Sequence, residues 1–170
     1  MAVVVEGAFS VEHIQSRKRA WLVVGGELVY EDDYVKIIGK STPPWETDFG
    51  SIPDIPILSW MLPGIGDLWD EGFEMHDLLW LQRVYRHGEY SIAWTNSIMK
   101  EMHKFALDRH CDGKPWYVRY WARATGWLKI NAMQLGVQST TAKHKWEHPE
   151  KEVSNCKDDL LEIIWKKDNK

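Results

Sequence analysis

Apolar and polar positions along the chain change period near Gly66. Before it, short β-branched and aromatic runs alternate with turn residues: Val3 to Val5, Trp21 to Val24, Glu27 to Tyr30 and Tyr34 to Ile38. Runs of this kind, bounded by Gly, Asp and Pro, predict strands. Gly25-Gly26 lies between the second and third and reads as a two-residue hairpin turn. Glu31-Asp32-Asp33 supplies the next turn, and Thr42-Pro43-Pro44 ends the meander, because consecutive prolines cannot donate to a ladder. Pro53, Pro56, Pro63, Gly64 and Gly66 leave room for only a short helix over 53–66.

After Gly66 the period is helical and predicts helices over 67–86, 89–109 and 115–135. His87-Gly88 parts the first two. The turn Cys111 to Lys114 parts the last two, with Pro115 suited to a first helical turn, where its missing N–H costs nothing. In the second helix Ile92, Thr95, Met99, Met102 and Ala106 step by three and four residues, flanked by Ile98 and Phe105, so this stripe should face the core. The expected fold is therefore α+β, an N-terminal antiparallel β meander packed on a C-terminal three-helix bundle. A chain of 170 residues suits one such domain, placed at 1–137. Residues 138–170 read as a polar C-terminal extension, in which Asp159 to Trp165 forms a short closing helix or strand.

Composition narrows the class. Hydrophobic residues at 44% and charged ones at 27% are ordinary for a soluble globular protein, but eleven Trp are not. Indoles bury large area and want a partner for the N–H, so they imply aromatic-rich packing, an adhesive surface, or both. A net charge of −4 gives no strong nucleic-acid signal. Cys111 and Cys156 are far apart and lack metal-finger spacing, which fits a reducing compartment. The N-terminus has no positive region, its apolar run stops at Glu6, and no stretch reaches the ~18–20 apolar residues of a bilayer span. The expectation is a soluble protein with no export signal and no transmembrane segment.

The candidate chemistry sits in two stretches, Trp45 to Pro53 and Met75 to Trp80. Adjacent residues on a helix point about 100° apart, so His76 and Asp77 cannot share a face. His76 shares its face with Leu79, Trp80 and Arg83 and can act as a general base if an acceptor fixes its tautomer. The bland alternative is a buried histidine bonded to a neighbouring element. Asp48 can cap its own turn, as Asp and Ser do in Thr47-Asp48-Phe49-Gly50-Ser51, or reach His76 or a cation. Thr95 and Asn96, on or beside the apolar stripe, need partners, and His76 is one candidate. His103 and His110, seven apart, read as packing or solvated residues rather than a metal clamp. Arg119, Arg123 and Lys129 with Trp116, Tyr120, Trp121 and Trp127 give the third helix a basic-aromatic character, read as Arg–Trp stacking at the rim of the core.

Taken together, Thr47 to Pro53 (T-D-F-G-S-I-P), His76 to Trp80 (H-D-L-L-W), Trp94 to Met102 and Arg123 to Gly126 resemble a functionally uncharacterised family of small phage and prophage proteins. The stretch WLVVGGELVYEDDYVKI resembles that family's opening strands. The likeness covers about residues 20–130, and the last forty residues look like an addition. It implies a phage context, in the bacterial host cytoplasm or within the virion. The helical half also resembles the His-Asp helix pair of small phospholipase-A2-like enzymes. That likeness implies His76 as the base, Asp77 as the ligand of a calcium ion, and an orienting carboxylate at about Thr95, where this chain departs. Asp48 would then have to replace the missing carboxylate.

Two classes of function follow. One is a non-enzymatic phage protein, a virion component or a host-directed binder with a protein partner. It would use a buried Asp48–His76–Asp77 polar cluster as scaffold and need no cofactor. The other is a hydrolase with His76 as base, oriented by Asp48 or Thr95, and a calcium ion on Asp77. The tryptophans, the departure at Thr95 and the lack of a glycine-rich, disulfide-braced cation loop favour the first.

Overall fold

A computed structural model describes residues 3–15, 21–47, 68–83, 86, 89–147 and 159–166. The strands are β1 (Val4–His13), β2 (Trp21–Glu31), β3 (Val35–Lys40), β4 (Trp45–Thr47) and β5 (Leu161–Trp165). The helices are α1 (Asp70–Gln82), α2 (Ile92–Cys111), α3 (Trp116–Val137) and α4 (Thr140–Glu147). The class is α+β, as the change of period implied.

β2 is the spine of an antiparallel sheet of order β1-β2-β3-β5. Along its whole length it pairs with β1. On its other edge Glu27 to Glu31 pair with β3, and Trp21 to Val23 pair with β4. Pro43 and Pro44 let the chain leave β3 and return to the same edge of β2, so the short segment Trp45–Thr47 is a strand rather than part of a turn. The turn at Glu31 to Asp33 is present. The Asp32 carboxylate accepts from the Tyr34 and Val35 backbone N–H groups at 2.7 and 2.8 Å and from the Tyr30 hydroxyl at 2.8 Å.

Gly25-Gly26 is not a hairpin. Both residues lie inside β2, where the register with β1 slips between Ser10 and Val11 and leaves Val24 as the extra residue of a bulge. Gly26 has φ +92°, and a Cβ there would lie 2.2 Å from the Ala8 carbonyl oxygen. The backbone freedom that suits glycine to a turn suits it equally to a bulge. The choice between them depends on β1, which pairs over ten residues instead of three.

Val23, Leu28, Tyr30, Val35, Ile37, Trp45 and Leu161 form the buried face of the sheet and pack on Met75, Leu78 and Leu79 of α1 and Ile98 and Met102 of α2. A second cluster joins the three long helices through Trp69, Phe73, Met99, Leu107, Ile130 and Met133. α2 lies between α1 and α3, so its buried face is wider than one stripe and takes in Asn96, His103 and Leu107 beside the predicted positions. The polar C-terminal extension contains the helix α4. The terminal element is a strand on β3, with Leu160 and Leu161 in the core. Arg86 holds its entry by a bidentate pair with Asp159, 2.7 and 2.9 Å. The proline- and glycine-rich stretch over 53–66 and His87-Gly88 lie outside the described residues.

Gly26→Ala should cost about 1–3 kcal/mol, because a side chain at this φ is strained and meets a fixed carbonyl. The measurement is a thermal or urea melt; an unchanged midpoint would show that the bulge is not as tight as its geometry.

Candidate functional site

α1 carries the site because it is buried on two sides, against the sheet and against α2. Consecutive residues therefore serve different neighbours. His76, 5% exposed, points to α2, where its Nε2 lies 3.0 Å from the Asn96 Oδ1. Asn96 also donates through Nδ2 to the Val137 carbonyl at 3.3 Å, and its own carbonyl accepts from Gln134 Nε2 at 3.1 Å. With the amide so fixed, Oδ1 faces the imidazole and Nε2–H is the donor. Asp77 points to the sheet, where its Oδ2 accepts from the Thr47 hydroxyl at 2.5 Å. His76 Nδ1 is 3.6 Å from Asp77 Oδ1, beyond a hydrogen bond, and is buried with no hydrogen-bond partner.

The residue on α2 that meets His76 is thus Asn96 and not Thr95. Thr95 is fully buried, and its hydroxyl has no hydrogen-bond partner. The reason is angular: one residue turns the side chain by about 100°, and only position 96 faces α1 and α3 together. Asp48 lies outside the described residues. Among the described residues no group of three His, Cys, Asp or Glu side chains has the disposition to hold a metal ion. No described helix is long and apolar enough to cross a membrane.

Glu74 is a site residue that sequence reasoning passed over. It is 4% exposed and faces the backbone of Phe9 in β1. Burial, reinforced by the carboxylates of Asp70, Glu71 and Asp77, pushes its carboxyl up to about 8. A carboxylate between Phe73 and Met75 in an apolar run was the available signal. His103 is likewise interior, edge-on to the rings of Trp69 and Phe73, with Nε2 at 3.2 Å from the Trp69 carbonyl. A Cβ on Gly72 would lie 2.3 Å from this ring, so only glycine admits it there. Burial pulls the His103 imidazole down to about 3, against the pull of the Trp69 carbonyl toward the charged form.

Beyond His76 on the same face an aromatic chain continues. Trp80 lies 6.0 Å from the imidazole, and Trp146 of α4 meets Trp80 edge-on at 5.2 Å. The Arg83 guanidinium lies over both indoles, at 4.6 and 5.5 Å. Tyr90, Trp94 and Trp165 extend the chain to the end of β5. Arg–Trp stacking therefore occurs here. The α3 residues expected to stack at the core rim are instead exposed: Trp116, Tyr120, Trp121 and Trp127. His110 is exposed and pairs with Lys114.

No family model, no curated protein and no solved structure matches this chain.

The two buried titrating groups act in opposite directions on stability. Glu74 has a raised folded-state pKa, so its contribution is full below about 4.5 and is lost as pH rises through about 8. His103 has a lowered one, so its contribution is full above about 6.5 and is lost as pH falls toward about 3. As far as these two groups decide it, stability peaks between about pH 4.5 and 6.5. Glu74→Gln should remove the alkaline fall and raise the Tm near pH 8, and His103→Phe should flatten the acid fall. Thermal melts across the pH range check both, and slopes identical to the parent protein would contradict the assignment.

Proposed function

We propose that the protein is a non-enzymatic, phage-encoded binding protein in which the polar cluster around His76 is a scaffold. The carrying observation is the placement of the imidazole: buried, donating to a neutral amide, with its neighbour Asp77 engaged by Thr47 of the sheet. Asn96 orients the ring but carries no charge to stabilise an imidazolium. Losing the carboxylate at the equivalent place in a Ser-His-Asp triad can cost ~10⁴ in rate. The cluster joins three elements, β4 to α1 through Thr47 and Asp77, and α1 to α2 through His76 and Asn96. Asp48, next to Thr47, would complete the Asp-His-Asp arrangement. The proposed setting is the bacterial host cytoplasm or the virion, and the proposed partner is a phage structural protein or a host protein. This setting rests on the resemblance of the Thr47 to Pro53 and His76 to Trp80 motifs.

One observation favours a hydrolase as the second reading. The lone pair of His76 Nδ1 has no hydrogen-bond partner, and Asp77 lies on that side of the ring. A base needs its nitrogen so disposed toward a water, with calcium on Asp77 as the resemblance to phospholipase-A2-like enzymes implies.

His76→Ala separates the readings. As a scaffold change it strands Asn96 and opens a cavity, and should cost about 2–4 kcal/mol in a denaturant melt. A screen of ester and phospholipid substrates, with and without calcium, should show no hydrolysis that depends on His76. Turnover lost in His76→Ala with an unchanged melt would instead establish the enzyme.

A further inference from the structure

α3 has two apolar faces where a surface helix normally has one. Gly126, Ile130, Met133 and Gln134 are its buried positions and turn toward α2. From Trp116 to Thr125, nearly three turns, no residue is buried. A second series steps by three, four and seven residues along a different side: Tyr117, Tyr120, Trp121, Ala124, Leu128 and Leu135. Trp116 and Trp127 border it. Apart from Ala124, these side chains are between 53% and 75% exposed. A helix that is apolar on both sides is either interior to a protein or in contact with a second phase.

Three further features say what that phase is. Between Gly113 and Trp146 there is no Asp or Glu, although the chain holds 25, and six Lys or Arg fall in the same stretch. The exposed set is dominated by Trp and Tyr, the residues that settle at a bilayer's headgroup level, with Leu128 and Leu135 among them. Two polar side chains of the stretch are turned back on their own helix. Thr125 donates to the Trp121 carbonyl and Asn131 to the Trp127 carbonyl, each at 2.8 Å. Hydroxyls and amides that bond their own helix need less from water, as membrane-embedded helices require.

We infer that α3 is a membrane-docking surface, lying in the headgroup region of an anionic phospholipid bilayer with Tyr120, Trp121 and Leu128 inward and with Arg123 and Lys129, which flank that face on either side, reaching toward the phosphates. This lipid contact is additional to the protein contact proposed above. A second copy fits less well, because it would set one stretch without Asp or Glu to pair its lysines and arginines against another. Single-stranded nucleic acid asks for a groove with stacking platforms, whereas this face is the convex side of a helix carrying leucines.

The test is sedimentation of the full chain with phosphatidylcholine vesicles, with and without a third of phosphatidylglycerol, at low and high salt. Binding should appear with the anionic vesicles, weaken in high salt, and be about tenfold weaker with phosphatidylcholine alone. The double variants Tyr120→Ser/Trp121→Ser and Arg123→Gln/Lys129→Gln alter exposed or half-buried surface side chains, so their melts should stay close to the parent while vesicle binding falls roughly tenfold or more. No binding, or binding that both variants retain, overturns the proposal. So does a dimer, or binding to oligo-dT, that the variants abolish in the absence of vesicle binding; either result reassigns the face and leaves the scaffold reading of His76 standing.

Discussion

The structure depends on the double burial of α1. One side of this helix meets the sheet and the other meets α2, so a polar side chain on it must be satisfied by a neighbouring element, or remain at a cost of ~1–3 kcal/mol. His76 and Asp77 meet the requirement in opposite directions, one to Asn96 of α2 and one to Thr47 of β4. Hydrogen bonds are directional where apolar packing is not. Two such bonds from successive residues therefore set the rotation of α1 about its axis as well as its distance from the sheet. Leu78 and Leu79 can then enter one core while Phe73 enters the other.

The same helix holds a titration imbalance. Glu74 is interior on the sheet side, and His103 from α2 is interior over Gly72. Neither has a partner of opposite charge among the causes of its shift, so both are held neutral by desolvation. Three buried atoms, His76 Nδ1, Thr95 Oγ1 and His103 Nδ1, also lack hydrogen-bond partners. An interior of this kind sacrifices stability, and proteins retain such groups where they specify a unique arrangement or serve a site.

Most of the described aromatic residues fall into three environments. Tyr30, Trp45, Trp69 and Phe73 fill the cores. Trp80, Tyr90, Trp94, Trp146 and Trp165 form an edge-to-face and tilted chain that brings α4 and β5 against the end of α1, with Arg83 over two of the indoles. The aromatics of α3 remain on the outside. The abundance of tryptophan thus has both meanings that composition allows, aromatic packing and an adhesive surface, in separate parts of one chain.

Periodicity alone determined the α+β class, the three long helices, the Asp32 turn and the interior position of Thr95, Met99 and Met102, because these follow from local spacing and from the need to bury one face. It also made His76 and Asp77 point apart. What only tertiary structure decided were pairings between distant segments. Gly25-Gly26 became a bulge because β1 runs past it, and Trp45 to Thr47 became a strand because the edge of β2 was free to receive it. Asn96 took the place expected of Thr95 because α3 stands on the far side of α2. The exposure of α3 was equally illegible: an apolar stripe looks the same in sequence whether a neighbour covers it or not, and only the positions of the other helices show which face was left uncovered.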